Sequence, residues 1–146
     1  MNRSDAGKVD YFTFCFETTA KDKQTKLLIK AVKLILRLFF DENVVFELLL
    51  ALKEAVNNVV EHAYRSLDVG EPKVKVKLQI FPYQFILFEV IDWGKEFVFA
   101  SNMPDLVNSS GRGIYIMQKI MDKCEYKRQD NRNHIIMKKQ WRLNND

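Results

Sequence analysis

The chain has 146 residues, 47% of them apolar and 29% charged, with 23 Lys and Arg against 19 Asp and Glu for a net charge of +4. Such a chain reads as one globular domain over residues 1–146 and excludes a disordered, collagen-like or disulfide-dense protein. Apolar runs such as Leu48 to Leu52 are too short to span a bilayer, and Met1 to Asp5 lacks the apolar stretch of a signal peptide, so the sequence points to the cytoplasm and to no membrane partner.

Residues 9–18 alternate large apolar side chains at Phe12, Phe14 and Phe16 with other types, the period of a strand. From about Lys23 to Phe40, Leu27, Ala31, Leu34, Ile35 and Leu38 recur at helical spacing, which predicts an amphipathic helix broken near Asp41 to Asn43. A second helix is predicted from about Val44 to Arg65, before the turn-forming cluster Asp68 to Pro72. Lys73 to Ile80 alternates polar and apolar residues, and Phe85 to Asp92 is nearly all apolar, so the two read as a hairpin turning at Pro82-Tyr83-Gln84. Residues 95–110 read as irregular. A third helix follows from about Arg112 to Lys123, and two last strands, near 124–129 and 134–142, flank a turn over Asp130 to Asn133. Helices and antiparallel strands that each bury one face predict an α+β fold, a two-layer sandwich of a mixed, mostly antiparallel sheet and three helices.

Much chemistry is excluded. Two histidines, His62 and His134, and two distant cysteines, Cys15 and Cys124, make neither a zinc nor a redox site, and the cysteines suit buried thiols better than a disulfide framework. No Gly-x-Ser-x-Gly elbow and no Walker loop is present, and Ile116 stands where a dinucleotide fingerprint needs its third glycine. Eight Lys and Arg against three acids over residues 119–142 read as a solvated basic face, with no recognisable nucleic-acid motif and no direct nucleic-acid partner.

Three segments remain. At 100° per residue from Glu54, Asn58 falls at about 40° and Glu61 at about −20°, one polar stripe opposite Leu48, Leu52, Val56, Val59 and Ala63. By itself this stripe suits the solvated side of any amphipathic helix. Val90-Ile91-Asp92-Trp93-Gly94 ends an apolar strand with a carboxylate and a glycine: either a plain turn, or an acceptor for the amino group of a buried base beside a backbone that a flat ring can approach. Ser109 to Ile114 opens a helix with two glycines, either a capped start or a phosphate cradle of exposed amides.

In this order and spacing the segments resemble the N, G1 and G2 boxes of the GHKL ATPases, and in particular the anti-sigma factor serine/threonine kinases. Glu54-Ala55-Val56-Asn57-Asn58-Val59-Val60-Glu61-His62-Ala63-Tyr64 resembles the N box, Asp92-Trp93-Gly94 the G1 box and Ser110-Gly111-Arg112-Gly113-Ile114 the G2 box. The resemblance implies a Bergerat-type ATP-binding fold holding ATP and Mg²⁺ under a lid at about 95–110. It also implies Glu54 as general base, Asn58 as the Mg²⁺ ligand, Asp92 on the adenine amino group with Gly94 beside it, and Ser110, Gly111, Arg112, Gly113 and Ile114 around the phosphates. Arg112 either contacts phosphate or points to solvent. The implied partners are a small anti-sigma factor antagonist, phosphorylated on a hydroxyl, and an RNA polymerase sigma factor, with the kinase a homodimer. An ATP-binding module without phosphotransfer, or a detached histidine-kinase-like catalytic domain, are the alternatives. One departure stands out: Lys95-Glu96-Phe97 replaces the further glycine often found after a G1 box.

Overall fold

In a computed structural model of the protein the described residues are 10–65, 67, 70–96 and 109–141. Most of the expected lid, residues 97–108, lies outside them.

The chain order is β1 (Phe12–Thr19), α1 (Asp22–Leu36), α2 (Glu42–Asn58), a π turn (Val59–Ala63), β2 (Lys73–Phe81), β3 (Phe85–Asp92), α3 (Ser109–Ile120), β4 (Lys123–Gln129) and β5 (Arg132–Gln140). The strands form one sheet in the order β1-β2-β3-β5-β4. The alternation read in β2 holds along its length: Val74, Val76, Leu78 and Ile80 are buried beneath the helices, while Lys75, Lys77 and Gln79 lie on the other face. Leu48, Leu52, Val56, Val59 and Ala63 are likewise buried, as the helical wheel predicts for the inner side of α2. Asp41 caps α2, its Oδ1 accepting the Val44 N–H at 3.0 Å and satisfying one of the free amides of the first turn.

All four strand pairings are antiparallel, so the sheet expected to be mixed and mostly antiparallel is antiparallel throughout. The cause is topological. β4 runs in the same direction as β3, as a crossover through α3 allows, but β5 folds back into the space between them and pairs antiparallel with both. The β4–β5 turn is also tighter than expected. Asp130 (φ 55°) and Asn131 (φ 60°) form a two-residue connection with both central residues left-handed, the primed geometry that matches strand twist. Arg132 and Asn133 therefore belong to β5, and Asn133 comes into register with Asp92.

Helix α1 buries a different stripe from the one read in the sequence. Thr25, Leu28, Ile29, Val32 and Leu36 face the core, while Leu27 (58% exposed), Leu34 (66%) and Leu38 (79%) face outward. Both stripes have helical spacing, so periodicity alone does not choose between them. Between α1 and α2 an apolar groove of about 650 Å³ is floored by Ile29, Val45, Phe46 and Leu49 and edged by Lys30, Lys33 and Lys53. The cysteines are both free thiols, Cys124 half-buried and Cys15 exposed on the edge strand, so burial holds only in part. No helix among the described residues is long and apolar enough to cross a membrane.

Candidate functional site

Three of the sequence-predicted segments meet on α2 and the π turn that follows it. The α-helix stops at Asn58, short of the expected Arg65, and the chain widens into the π turn before leaving the helical layer. Such turns recur at functional sites because they displace the helix axis locally. Here the Ala63 carbonyl accepts the Lys95 N–H at 2.8 Å, which brings the end of β3 against the end of α2. The approach is so close that a Cβ on Gly94 would stand 2.1 Å from the Ala63 oxygen. Glycine is required here by space rather than by dihedral angle.

The second convergence is between α2 and α3. A Cβ on Gly113 would stand 2.7 Å from Glu54 Oε2, so this glycine keeps the third helix within contact of the carboxylate. Gly113 is the fifth described residue of α3. Ser110 and Gly111 precede it in the same helix. Arg112 is exposed, Ile114 is buried in the core, and the Arg112 charge acts on Glu54. Burial, and after it the Glu61 carboxylate, push Glu54 above the usual carboxylate range, while Arg112 pulls in the opposite direction.

Asn58 is half-buried one turn beyond Glu54, and its Nδ2 is buried with no hydrogen-bond partner among the described residues. An orphaned amide atom is costly unless something binds it. Rotating the amide by 180° exchanges nitrogen for oxygen at the same place, so the group suits a cation ligand as well as an acceptor. Among the described residues no three His, Cys, Asp or Glu side chains cluster as a metal site, so a magnesium ion at Asn58 would take its other ligands from phosphate and water.

At the sheet rim Asp92 is 1% exposed and Asn133, facing it across β3 and β5, is 0% exposed. Asp92 Oδ1 accepts from the Gly94 N–H at 2.8 Å and from Asn133 Nδ2 at 2.8 Å. Asn133 Nδ2 also donates to the Lys95 carbonyl at 2.8 Å, while its Oδ1 accepts from the Tyr126 hydroxyl at 2.6 Å and Arg128 Nη1 at 2.9 Å. Arg128 Nη1 reaches the Gly94 carbonyl as well, at 3.1 Å. Burial pushes the Asp92 carboxyl up, and the Asn133 and Gly94 donors, then the Arg128 and His134 charges, oppose it. Sequence reasoning missed Asn133, Tyr126 and Arg128. The signal available was the Asp-Asn pair of a two-residue hairpin, which sets this register.

Tyr64 is the other residue passed over. Its hydroxyl accepts from the Lys73 N–H at 3.1 Å and the Trp93 N–H at 3.0 Å, and donates to the Lys73 carbonyl. One phenol thus ties the end of the helical layer to the start of β2 and to the residue after Asp92. His62 lies beside Glu61 near the helix end, with Nε2 at 3.6 Å from Oε2.

Comparison with known proteins agrees with this geometry. A family model described as the histidine kinase-like ATPase domain matches residues 18–139. A curated relative, the serine-protein kinase RsbW of Bacillus pumilus (strain SAFR-032), is 30% identical over an alignment of 90 residues that covers 54% of this chain and 55% of the relative, so the chain spans about half of that relative's length. Among solved structures, the RsbU and RsbW domains of Rv1364c from Mycobacterium tuberculosis share the fold with a TM-score of 0.62 at 13% identity, over 90% of this chain and 33% of that one. With the family model covering most of its length and the three boxes gathered around α2, the chain belongs to the histidine kinase-like ATPase domain family, in which it resembles the anti-sigma factor serine kinases.

Proposed function

We propose that this protein is an ATP-dependent serine/threonine-protein kinase that acts as an anti-sigma factor: it binds MgATP, phosphorylates a small anti-sigma factor antagonist and sequesters an RNA polymerase sigma factor. It would work as a homodimer in the cytoplasm. The observation that carries this reading is Glu54, a carboxylate with raised basicity, held against the glycine-containing start of α3 and one turn from the orphaned Asn58 amide.

The division of labour follows from the chemistry of these groups. Asp92, through the oxygen that no described donor occupies, would accept from the adenine amino group, with Gly94 leaving room for the ring. The backbone amides of α3 at Ser110 and Gly111 would point at phosphate, and Arg112 would pair with its charge. Gly113 would serve by admitting Glu54, and Ile114 by anchoring the helix in the core. Asn58 would hold Mg²⁺, which when bound neutralises charge on the transferring phosphoryl group. Glu54 would take the proton from the attacking serine or threonine hydroxyl as its oxygen bonds to the γ-phosphorus and the bond to the bridging oxygen breaks, releasing ADP. A carboxyl with raised pKa is a better acceptor for that proton than an ordinary one, provided the working pH keeps it ionised. The groove between α1 and α2 would seat an acidic, apolar segment of the antagonist, matching its Phe46 and Leu49 lining and the four lysines, Lys26, Lys30, Lys33 and Lys53, that outnumber Asp22 and Glu42 around it.

The test is transfer of labelled phosphate from MgATP to a purified antagonist protein. Acid-stable label on the partner is expected, and Glu54→Gln should lower the rate by about 10²–10⁴-fold while ATP still binds. In the same assay Lys30→Glu/Lys33→Glu should raise KM for the antagonist and leave KM for ATP unchanged. Tight ATP binding without transfer would instead mark a regulatory module, and acid-labile label a histidine as acceptor.

A further inference from the structure

Asn133 sits at the centre of the buried polar network, and its four partners leave its amide one orientation. A guanidinium only donates and a backbone carbonyl only accepts, so the atom facing Arg128 must be Oδ1 and the atom facing the Lys95 carbonyl must be Nδ2. That same Nδ2 is the group presented to Asp92. Asp92 Oδ1 consequently receives two N–H donors, from Asn133 and from Gly94, and has no room for a proton of its own. The two carboxylate oxygens are thereby given different tasks: Oδ1 belongs to the protein, and no donor among the described residues reaches Oδ2.

We propose that Asn133 is a specificity-determining positioning residue that, by filling Oδ1 with a donor, keeps Asp92 a pure acceptor at Oδ2, so that the site takes a purine with an amino group at C6 and rejects one with a carbonyl there. The proposal rests on the reading of Asp92 as the adenine contact and deepens it. An ionised Oδ2 meets a C6 amino group as acceptor to donor and a C6 carbonyl as acceptor to acceptor, a mismatch that a buried site punishes heavily. Protonation would reverse the discrimination, because an Oδ2–H can donate to a C6 carbonyl. Burial drives Asp92 toward that protonated state, and Asn133 is the first of the groups that resist it, ahead of the Gly94 amide, Arg128 on β4 and His134 on β5. The Tyr64 phenol, just past the π turn, also lies near the carboxyl, and the Tyr126 phenol of β4 reaches it through Asn133. Asn133 also joins Lys95 to β5, and Arg128 joins Gly94 to β4, so the network around Asp92 also holds the backbone that follows β3.

The experiment compares dissociation constants for MgATP and MgITP, which differ at C6, between pH 6 and pH 9. The full-length wild-type chain should prefer ATP by at least about tenfold across this range. In Asn133→Ala the preference should collapse toward unity at pH 6 and recover as the pH rises, because the carboxyl then ionises only at higher pH. Arg128→Gln, at an exposed position that leaves Asn133 and its bonds to Asp92 and Tyr126 in place, should move in the same direction by less and serves as the readout if Asn133→Ala does not fold. Equal losses of ATP and ITP affinity at every pH, or an unchanged ratio in both variants, would overturn the proposal. A wild-type protein that fails to distinguish the two nucleotides would instead overturn the reading of Asp92 on which it rests, so the two failures appear in different proteins.

Discussion

Glu54 is tuned by two neighbours of opposite sign, Glu61 in the π turn that follows α2 and Arg112 across on α3. If it is the base, the acid limb of the kcat profile follows its ionisation, and the sign of each perturbation is fixed. Removing the Glu61 charge (Glu61→Gln) lowers the Glu54 pKa and moves the limb to lower pH; removing the Arg112 charge (Arg112→Gln) raises it and moves the limb to higher pH. A pH–rate series on the three proteins checks this, and shifts in the same direction for both variants would contradict it. At this scale the sequence was informative where spacing along one helix sets the position, as for Glu54 and Asn58, one turn apart on α2. It was silent on Asn133, because that residue's meaning comes from a register across two strands 41 positions apart.

Among the elements, the end of α2 does the most to shape the site. Read as a continuous helix through Arg65, it would carry its polar stripe on unbroken; instead the π turn releases the Ala63 carbonyl to Lys95 and sets the Tyr64 hydroxyl between β2 and the residue after Asp92. Tyr64→Phe leaves the ring in place and removes only that junction. It should cost about 1 kcal/mol and lower Tm by about 2–4 °C. It should also weaken ATP binding, because Trp93, next to Asp92, loses its bond to the helical layer and, among the described bonds, only the Lys95–Ala63 bond remains there. An unchanged melting curve together with unchanged ATP affinity would remove Tyr64 from the account. Helix α1 teaches the reverse lesson about legibility: it has two apolar stripes, and only the packing against β1 and α2 decides that Leu28, Val32 and Leu36 go inward while Leu34 and Leu38 do not.

Over the whole molecule, the sheet supplies the Asp92 carboxylate and Asn133, the helical layer supplies Glu54 and the Asn58 amide, and the two layers touch where Gly94 meets Ala63. The layered α+β plan was readable from hydrophobic period because each strand and helix buries one face. The strand order was not, since inserting β5 between β3 and β4 depends on long-range pairing that no local pattern records. The central claim is that these separate contributions form one nucleotide site, and titration calorimetry of MgATP into the full chain tests it most directly. Saturable binding at one site per chain is expected, weakened at least about tenfold by Asp92→Asn in a protein that remains folded. Absence of binding heat in the wild-type protein, or binding that Asp92→Asn leaves untouched, would contradict it.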